Sequence, residues 1–367
     1  MAEASTGEAP GVNTGGRALA SGGVTAESTA GTVPSRWARW QYVLTTTNPP
    51  VGAELDPVSR WLVVSRAAVL PMTLVSGMVA GLLAVRQPDF HSGWFLLALG
   101  GIVLAHVSNN LMNDLFDSDV GLDTADYPRA LYAPHPVLAG LISRRGLAGA
   151  ALAVNAADLM ILAVLWDARG WPVAAFALSG FVLSVAYTAP PLRLKKRGLG
   201  EADVFVVWGP LMVGGTFYAA AGHLPWEVML ASVPYGVLAT SVLMAKHIDK
   251  APWDASAGVR TLPVMVGEKL ALRVTQWMMI AFYGWTLGAV LLGALPWPGL
   301  LAFTGIPVLG RCSRALGRPR PTAKPDRWPI WPLWYAAYAF LHARRAGALL
   351  VAGLTIAAVI NIDPYGF

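Results

Sequence analysis

An acidic segment directly follows one of the most apolar stretches of the chain, and its side chains are suited to metal chemistry. The run 94–111 is long enough to cross most of a bilayer, and it is followed by Asn113, Asp114, Asp117 and Asp123. In helical geometry Asn113 and Asp117 share one face, and Asp114 lies a neighbouring turn away. Amide and carboxylate oxygens that converge in this way suit a hard cation, and Mg²⁺ carrying a diphosphate is the natural occupant. The alternative is a solvated acidic loop that follows a membrane span.

A basic segment follows another apolar stretch. Two prolines come soon after Tyr187 and Thr188 and end the apolar run, and glycines lead into the next one. Four basic residues lie between them: Arg193, Lys195, Lys196 and Arg197. A basic loop beside an acidic one can bind a phosphorylated ligand that a metal bridges. The alternative is the positive charge that cytoplasmic loops of membrane proteins carry without any ligand.

A third polar segment covers residues 246–261 and contains two lysines and two aspartates. Asp249 and Asp254 are five residues apart, about 140° around a helix, so they diverge if the helix continues. Pro252 disfavours helical geometry at the preceding residue, and the chain could bend there and bring Asp254 back.

Composition places these segments in a polytopic membrane protein. Hydrophobic residues make up 55% of the 367 residues, charged residues only 13%, and the mean hydropathy is +0.51, whereas soluble domains carry about 25% charged residues. The single cysteine, Cys312, excludes an internal disulfide and a cysteine-based metal site. We expect the lipid bilayer as a partner and no nucleic acid.

The apolar segments predict an all-α bundle of about nine transmembrane helices in one membrane domain. They are 61–85, 93–112, 146–166, 171–189, 202–222, 226–247, 271–294, 296–310 and 346–361. An even number of spans would require that one segment does not cross, and 296–310, which is short and contains Pro307, is the weakest.

The predicted organisation has five parts. They are a disordered tail over 1–34, an interfacial approach over 35–60, the membrane domain over 61–310, a basic and aromatic interfacial segment over 311–345, and a final transmembrane helix with the C-terminus over 346–367. Within the fourth part, 328–342 is too short to span and rich in tryptophan and tyrosine, so we expect it in the membrane interface.

The distribution of positive charge predicts the orientation. All but two of the 27 Lys and Arg residues fall in alternate loops, and the exceptions are Arg86 and Arg169. This asymmetry predicts a multi-pass protein of the cell membrane with a cytoplasmic N-terminus. It also places all three polar segments at the cytoplasmic face.

Taken together, the three segments resemble the UbiA superfamily of intramembrane prenyltransferases, most closely its 1,4-dihydroxy-2-naphthoate branch. The resemblance runs from about residue 66 to 268. Its motifs are Asn113-Asp114-x-x-Asp117-x-x-x-Gly121-x-Asp123, Tyr187-Thr188-x-x-Pro191, Gly198-Leu199-Gly200-Glu201-x-x-Val204-Phe205 and Asp254-x-x-x-Gly258-x-x-Thr261-Leu262.

The resemblance implies roles for individual residues. Asp117, Asp254, Tyr187 and Lys195 are the expected catalytic residues, with Lys195 on the diphosphate and Tyr187 near the allylic C–O bond. The expected Mg²⁺ ligands are Asn113, Asp114, Asp117, Asp123, Asp249 and Asp254. The expected substrate-binding residues are Arg66, Lys196, Arg197, Arg129, Lys246 and Lys250.

The chain departs from the family pattern in its last motif. The family's other aspartate falls on Lys250, an upstream asparagine falls on Lys246, and Asp249 stands where an arginine is usual. We predict that a bend at Pro252 lets Asp249 take the place of the missing aspartate, while Lys250 points to the diphosphate or to solvent. Before this motif, His135-Pro136 replaces the usual Arg-Pro.

The implied function is Mg²⁺-dependent transfer of an isoprenoid chain from a prenyl diphosphate to a lipophilic acceptor, aromatic or a quinone precursor. The alternative within the superfamily is a terpene cyclase, which uses the prenyl diphosphate without an acceptor. A transporter would need polar groups near the middle of the bilayer, and the clear ones are few, Asn155 and Asp158.

Overall fold

The computed structural model describes residues 35–48, 55–119, 128–326 and 328–362, without the side chains of 117–119, 129 and 130. This part of the chain is helical and contains no strand. Its α-helices are α1 (Arg36–Thr46), α2 (Pro57–Val64), α3 (Pro71–Ala84), α4 (Ser92–Asp119), α5 (Pro128–Tyr132), α6 (Arg144–Arg169), α7 (Trp171–Thr188), α8 (Gly200–Val206), α9 (Met212–Ala221), α10 (Trp226–Ser256), α11 (Leu262–Val266), α12 (Glu268–Leu291), α13 (Ile306–Leu316) and α14 (Tyr335–Val359). The predicted tail over 1–34 lies outside the described residues.

Eight helical segments in the described chain are long and apolar enough to cross a membrane. They are Ala67–Ala84, Ser92–Phe116, Arg144–Arg169, Trp171–Thr188, Gly200–Ala221, Trp226–Ser256, Glu268–Leu291 and Tyr335–Val359. The prediction of an all-α polytopic membrane protein is therefore confirmed. Helix α10 is the most deeply buried of them and packs against α8, α12 and α14, so it forms the centre of the bundle.

The predicted count of nine spans is not confirmed, and the difference lies in the segment 296–310. Here the chain forms a 3₁₀ helix, Trp297–Gly305, that continues directly into α13. It runs antiparallel beside α12: Gln276 donates hydrogen bonds to Ser313, and the Tyr283 ring packs edge-on against Phe303. Neither piece is long enough alone to qualify as a span.

The last helix also begins earlier than predicted. Helix α14 starts at Tyr335 rather than at 346, and its first turns are buried, with Tyr335, Ala336 and Ala339 at most 1% exposed. Residues 335–342, which we expect in the membrane interface, thus form the first turns of this helix. Tyr335 packs inward, where the N-terminus of α14 docks on α10.

Helix α10 passes through Pro252 without ending and reaches Ser256. The expected loss of helical geometry at Ala251, just before this proline, does not occur. A proline inside a helix removes one backbone hydrogen bond, but packing of α10 against α11 and α12 holds the last turns in place. Asp249 and Asp254 consequently point in different directions.

A π-helical turn, Val207–Leu211, joins α8 to α9 and contains Pro210. The amide N–H of Met212 donates to the carbonyl of Val207, five residues back, which is the bonding of a π turn. The carbonyl of Trp208 accepts a hydrogen bond of 2.7 Å from Ser76 Oγ. The turn packs closely on α10, where a Cβ on Gly236 would lie 3.1 Å from the Cα of Gly209.

Candidate active site

A buried arginine holds the acidic end of α4. Asp114 is fully buried, and its carboxylate accepts a hydrogen bond of 3.2 Å from Arg66 Nε and a second from Arg66 Nη2. His135 Nε2 lies 3.8 Å from the same carboxylate. A bidentate pair fixes the plane of the guanidinium. Asp114 therefore orients Arg66, which differs from its predicted role as a metal ligand.

Asn113 joins the first two polar segments. Its Oδ1 accepts hydrogen bonds from Lys195 Nζ at 3.0 Å and from Thr188 Oγ1 at 3.2 Å. The Lys195 ammonium also lies 5.9 Å from the centre of the Tyr187 ring, and Lys195 is only 8% exposed. The structure thus brings together four residues that lie up to 82 positions apart in the sequence.

Gly200 lets further side chains approach this group. A Cβ at Gly200 would lie 3.3 Å from the Tyr187 ring and 3.4 Å from the His247 ring. His247 Nδ1 is 2.8 Å from Glu201 Oε1, and both side chains are buried. The pair of Glu201 and His247 therefore packs behind Tyr187. Sequence reasoning assigned no role to Glu201, although it follows Gly200 in a family motif.

Two lysines of α10 face the same region. Lys250 Nζ lies 3.9 Å from Asp254 Oδ1, and both residues are more than nine-tenths buried, so Lys250 does not point to solvent. Lys246 lies within electrostatic range of Arg66, Lys195 and Lys250. Four basic side chains thus share one largely buried region. Asp114 and Asp254 place negative charge beside Arg66 and Lys250, and the basic groups together can attract a phosphate anion.

Asp249 does not belong to this group, which corrects its predicted role as a metal ligand. Its Oδ1 accepts a hydrogen bond of 3.1 Å from the backbone N–H of Tyr335, and its Oδ2 accepts one of 2.8 Å from Ala336. Arg320 donates to its backbone carbonyl at 3.0 Å. A carboxylate on the first N–H groups of a helix caps it and complements its dipole. Asp249 therefore anchors α14 to α10.

We expect that Asp249→Ala destabilises the protein, because the N–H groups of Tyr335 and Ala336 lose their buried acceptor. The expected loss in free energy of unfolding is about 1–3 kcal/mol. A lower melting temperature in detergent, with EDTA and with Mg²⁺ alike, is the result to measure. An unchanged melting temperature, or a shift that appears only when Mg²⁺ is present, would contradict the capping role.

The remaining predicted residues are placed less centrally or lie outside the described residues. Arg197 is exposed and donates to the carbonyl of Pro191 at 2.9 Å, so it stabilises its own loop rather than the buried group. Lys196 is half-buried in the same 3₁₀ turn. The side chains of Asp117 and Arg129, and all of Asp123, lie outside the description.

The donor atoms at the site fit a hard cation. The described candidates are Asn113 Oδ1 and the carboxylate of Asp254, and each lies beside a lysine ammonium. Within the described residues no three His, Cys, Asp or Glu side chains converge, so the predicted set also requires Asp117 and Asp123. A donor set made only of oxygen atoms suits Mg²⁺.

An apolar cavity of about 390 Å³ begins one residue from this group. It lies between α4, α6, α7 and the continuous helix formed by α8, the π turn and α9. On α4 its lining ends at Met112, next to Asn113. The two mid-span polar residues of α6, Asn155 and Asp158, line it as well. Its volume falls within the range of pockets that bind small organic ligands.

The fold and the site together define an integral membrane enzyme. Its largely buried charged residues lie around Asn113, one residue beyond the cavity lining on α4. Residues 73–335 match the UbiA prenyltransferase family. The chain belongs to this family and is a prenyltransferase.

Three curated relatives give the range of similarity. The chain is 27% identical to 2-carboxy-1,4-naphthoquinone phytyltransferase of Synechocystis over 282 residues, 74% of this chain and 88% of the relative. It is 31% identical to 1,4-dihydroxy-2-naphthoate octaprenyltransferase of Mycobacterium tuberculosis over 246 residues, 65% of this chain and 80% of the relative. The Bacillus subtilis enzyme of the same name is 25% identical over 237 residues, 62% of this chain and 74% of the relative.

Solved structures show the same fold. The apo UbiA homolog from Aeropyrum pernix superposes with a TM-score of 0.59 and 18% identity over 78% of this chain and 98% of that one. The UbiA homolog from Archaeoglobus fulgidus bound to GPP and Mg²⁺ superposes with a TM-score of 0.57 and 15% identity, over 79% of this chain and 99% of that one.

Proposed function

We propose that this prenyltransferase transfers an isoprenoid chain from a prenyl diphosphate to an aromatic quinone-precursor acceptor in a Mg²⁺-dependent reaction. The observation that carries the proposal is that four basic side chains share one largely buried region, and that Lys195 among them bonds to Asn113, the residue after the cavity-lining Met112. In the proposed complex a diphosphate binds to these basic groups while its apolar chain extends into the cavity. The names of the relatives, which are naphthoate or naphthoquinone prenyl and phytyltransferases, support the acceptor class.

In the proposed mechanism the basic residues act on the leaving diphosphate. Lys195 donates hydrogen bonds to it, and Arg66, oriented by Asp114, binds it from the α3 side. Cations that already face the position where negative charge develops stabilise the transition state of C–O cleavage. Asn113, Asp117 and Asp254 would hold Mg²⁺, which when bound supplies further charge neutralisation.

Tyr187 and the cavity act on the other half of the substrate. The Tyr187 ring is buried next to Lys195, so an allylic carbon near the ammonium also lies near the ring. The face of an aromatic ring stabilises a positively charged carbon. The apolar lining keeps water away from that carbon until the acceptor attacks.

We further propose that the charged end of the bundle faces the cytoplasm of a cell-membrane protein. The support is the positive charge in alternate loops from the N-terminus to the start of α12, from which only Arg86 and Arg169 depart. Arg169 bonds to the carbonyls of Ala219 and Ala220 at the end of the bundle opposite to the site.

The test uses purified protein with Mg²⁺ and geranyl, farnesyl or longer prenyl diphosphates, with and without 1,4-dihydroxy-2-naphthoate. We expect diphosphate release that requires the acceptor and, by mass spectrometry, a prenylated naphthoate product. Cyclised hydrocarbon or alcohol formed without acceptor would instead establish a terpene cyclase. Absence of diphosphate release with every donor would contradict both.

A further inference from the structure

The cavity is apolar overall but contains buried polar atoms without partners. Ser108 Oγ, Asp203 Oδ1, Trp208 Nε1 and Thr216 Oγ1 have no hydrogen-bond partner among the described residues. Each of these side chains is more than nine-tenths buried, and all four line the cavity. A fifth atom of this kind is Ser184 Oγ on α7. Buried polar groups are normally paired, so this concentration indicates a ligand that pairs them.

Most of these atoms lie near the charged end of the cavity. Ser108 precedes Asn113 by five residues, Ser184 precedes Tyr187 by three, and Asp203 follows Gly200 by three. At about 1.5 Å per residue, each lies within about 8 Å of the site along its helix. Three different helices thus present a polar atom at a similar depth.

Trp208 completes this polar band one turn deeper than Asp203. Its indole is held in place, because its ring packs edge-on against His106 with centroids 5.1 Å apart and its backbone carbonyl is bonded to Ser76. Trp208 and Leu211 of the π turn line the cavity together with Asp203 of α8. Thr216 lies about two further turns along the helix, away from the reacting end.

The chemistry of these groups selects one kind of occupant. An isoprenoid chain has neither donors nor acceptors and would leave all of them unpaired. A phosphate group offers mainly acceptors and would bring its negative charge to the carboxylate of Asp203. A ring that carries a hydroxyl and a carbonyl or carboxyl oxygen offers a donor to Asp203 and an acceptor to the indole N–H of Trp208.

We propose that the acceptor ring binds in this polar band, with a ring hydroxyl donating to Asp203 Oδ1 and the indole N–H of Trp208 donating to an oxygen substituent of the same ring. This inference rests on the proposed function and adds the acceptor subsite to it. Along α4 and α7 the band lies five residues before Asn113 and three before Tyr187, which is near the position proposed for the allylic carbon. A hydroxyl that donates to a carboxylate also makes the ring more electron-rich, which favours its attack.

The test compares Asp203→Leu and Trp208→Phe with the wild type in steady-state kinetics with 1,4-dihydroxy-2-naphthoate. Asp203→Leu replaces the carboxylate by an apolar side chain of the same branching, and Trp208→Phe replaces the indole by a smaller aromatic ring, so each variant removes one hydrogen-bonding group. We expect the KM for the acceptor to rise about 10-fold to 100-fold, while the KM for the prenyl diphosphate stays within about twofold. Asp203→Asn retains an acceptor oxygen, so its KM for the acceptor should lie between those of the wild type and Asp203→Leu. Asp167→Asn, the same chemical change as Asp203→Asn at an exposed site on α6, is the matched control and should match the wild type.

A modified acceptor identifies the bond itself. 1,4-Dimethoxy-2-naphthoate has no hydroxyl to donate. The wild type should therefore bind it no more tightly than Asp203→Leu does. Binding of each naphthoate is also measured without prenyl diphosphate, by the change in melting temperature of the protein in detergent. That binding requires no turnover and also reports whether each variant is folded.

The outcomes separate the two proposals. Naphthoate that binds the wild type, and binds Asp203→Leu and Trp208→Phe equally well, would overturn the acceptor subsite and leave the transferase proposal standing. Failure of the wild type to bind the naphthoate would overturn the subsite as well. A third outcome is that the naphthoate binds the two variants more weakly than the wild type, while the wild type transfers no prenyl chain to it. That outcome would support the subsite and contradict the proposed reaction.

Discussion

Replacing Lys195 by methionine is expected to lower kcat at least about 100-fold, since loss of one preorganised donor to a developing anion typically costs about 100-fold to 1,000-fold. The Lys195 ammonium is the group that contacts both Asn113 and the Tyr187 ring. Methionine keeps the length and apolar body of the side chain but removes its charge and donors. Release of diphosphate by the purified variant, with saturating acceptor, is the measurement.

Two controls make this result specific. Lys269→Met makes the same change at an exposed position in the first turn of α12 and should leave kcat unchanged. Lys195→Arg keeps the charge in a different geometry and should recover part of the rate. Turnover of Lys195→Met equal to that of the Lys269→Met control would remove Lys195 from the mechanism.

The second large effect is expected for Asp254→Asn, which should reduce turnover at least about 100-fold because a metal ligand supplies several kcal/mol of charge stabilisation. The change preserves shape and removes the negative charge beside Lys250. In the wild type, EDTA should abolish product formation and added Mg²⁺ should restore it. The Mg²⁺ concentration at which Asp254→Asn reaches half of its own maximal rate should be higher than the corresponding concentration for the wild type.

The control is Asp326→Asn, which removes a carboxylate at an exposed position. Its turnover and its Mg²⁺ requirement should equal those of the wild type. Asp254→Asn also removes the negative charge beside buried Lys250, so its melting temperature should fall as well, and the raised Mg²⁺ requirement is what distinguishes it from Asp249→Ala. A wild type that is active in EDTA, or an Asp254→Asn variant with an unchanged Mg²⁺ requirement, would argue against the proposed metal site.

Residues of the site differ in how well the sequence predicts them. Asn113, Tyr187 and Lys195 were expected to act together, and they are in contact. Each lies at or just beyond the end of an apolar helix, and such helices are local features that a run of about 20 residues determines. Alternation of these helices across the bilayer then brings the ends of α4 and α7 to one face.

Asp249 and Asp254 show where sequence reasoning fails. The spacing of five residues indicates divergence, and a bend at Pro252 would be needed to bring both into one site. Packing of α10 against its neighbours overrides the local preference of a proline. The partner of Asp249 is the start of α14, 86 residues later, and no local pattern predicts such a contact.

The sequence by itself determined the class of protein, the positions of most membrane helices and the three polar segments, because hydropathy and charge act over short distances along the chain. Only the tertiary structure decided that Asp254 lies beside Lys250 and that Asp114 binds Arg66. It also decided that Ser108, Asp203 and Trp208 line one cavity. These relations depend on how separate helices rotate and pack. That rotation follows from close packing of side chains across the whole bundle, which no single segment contains.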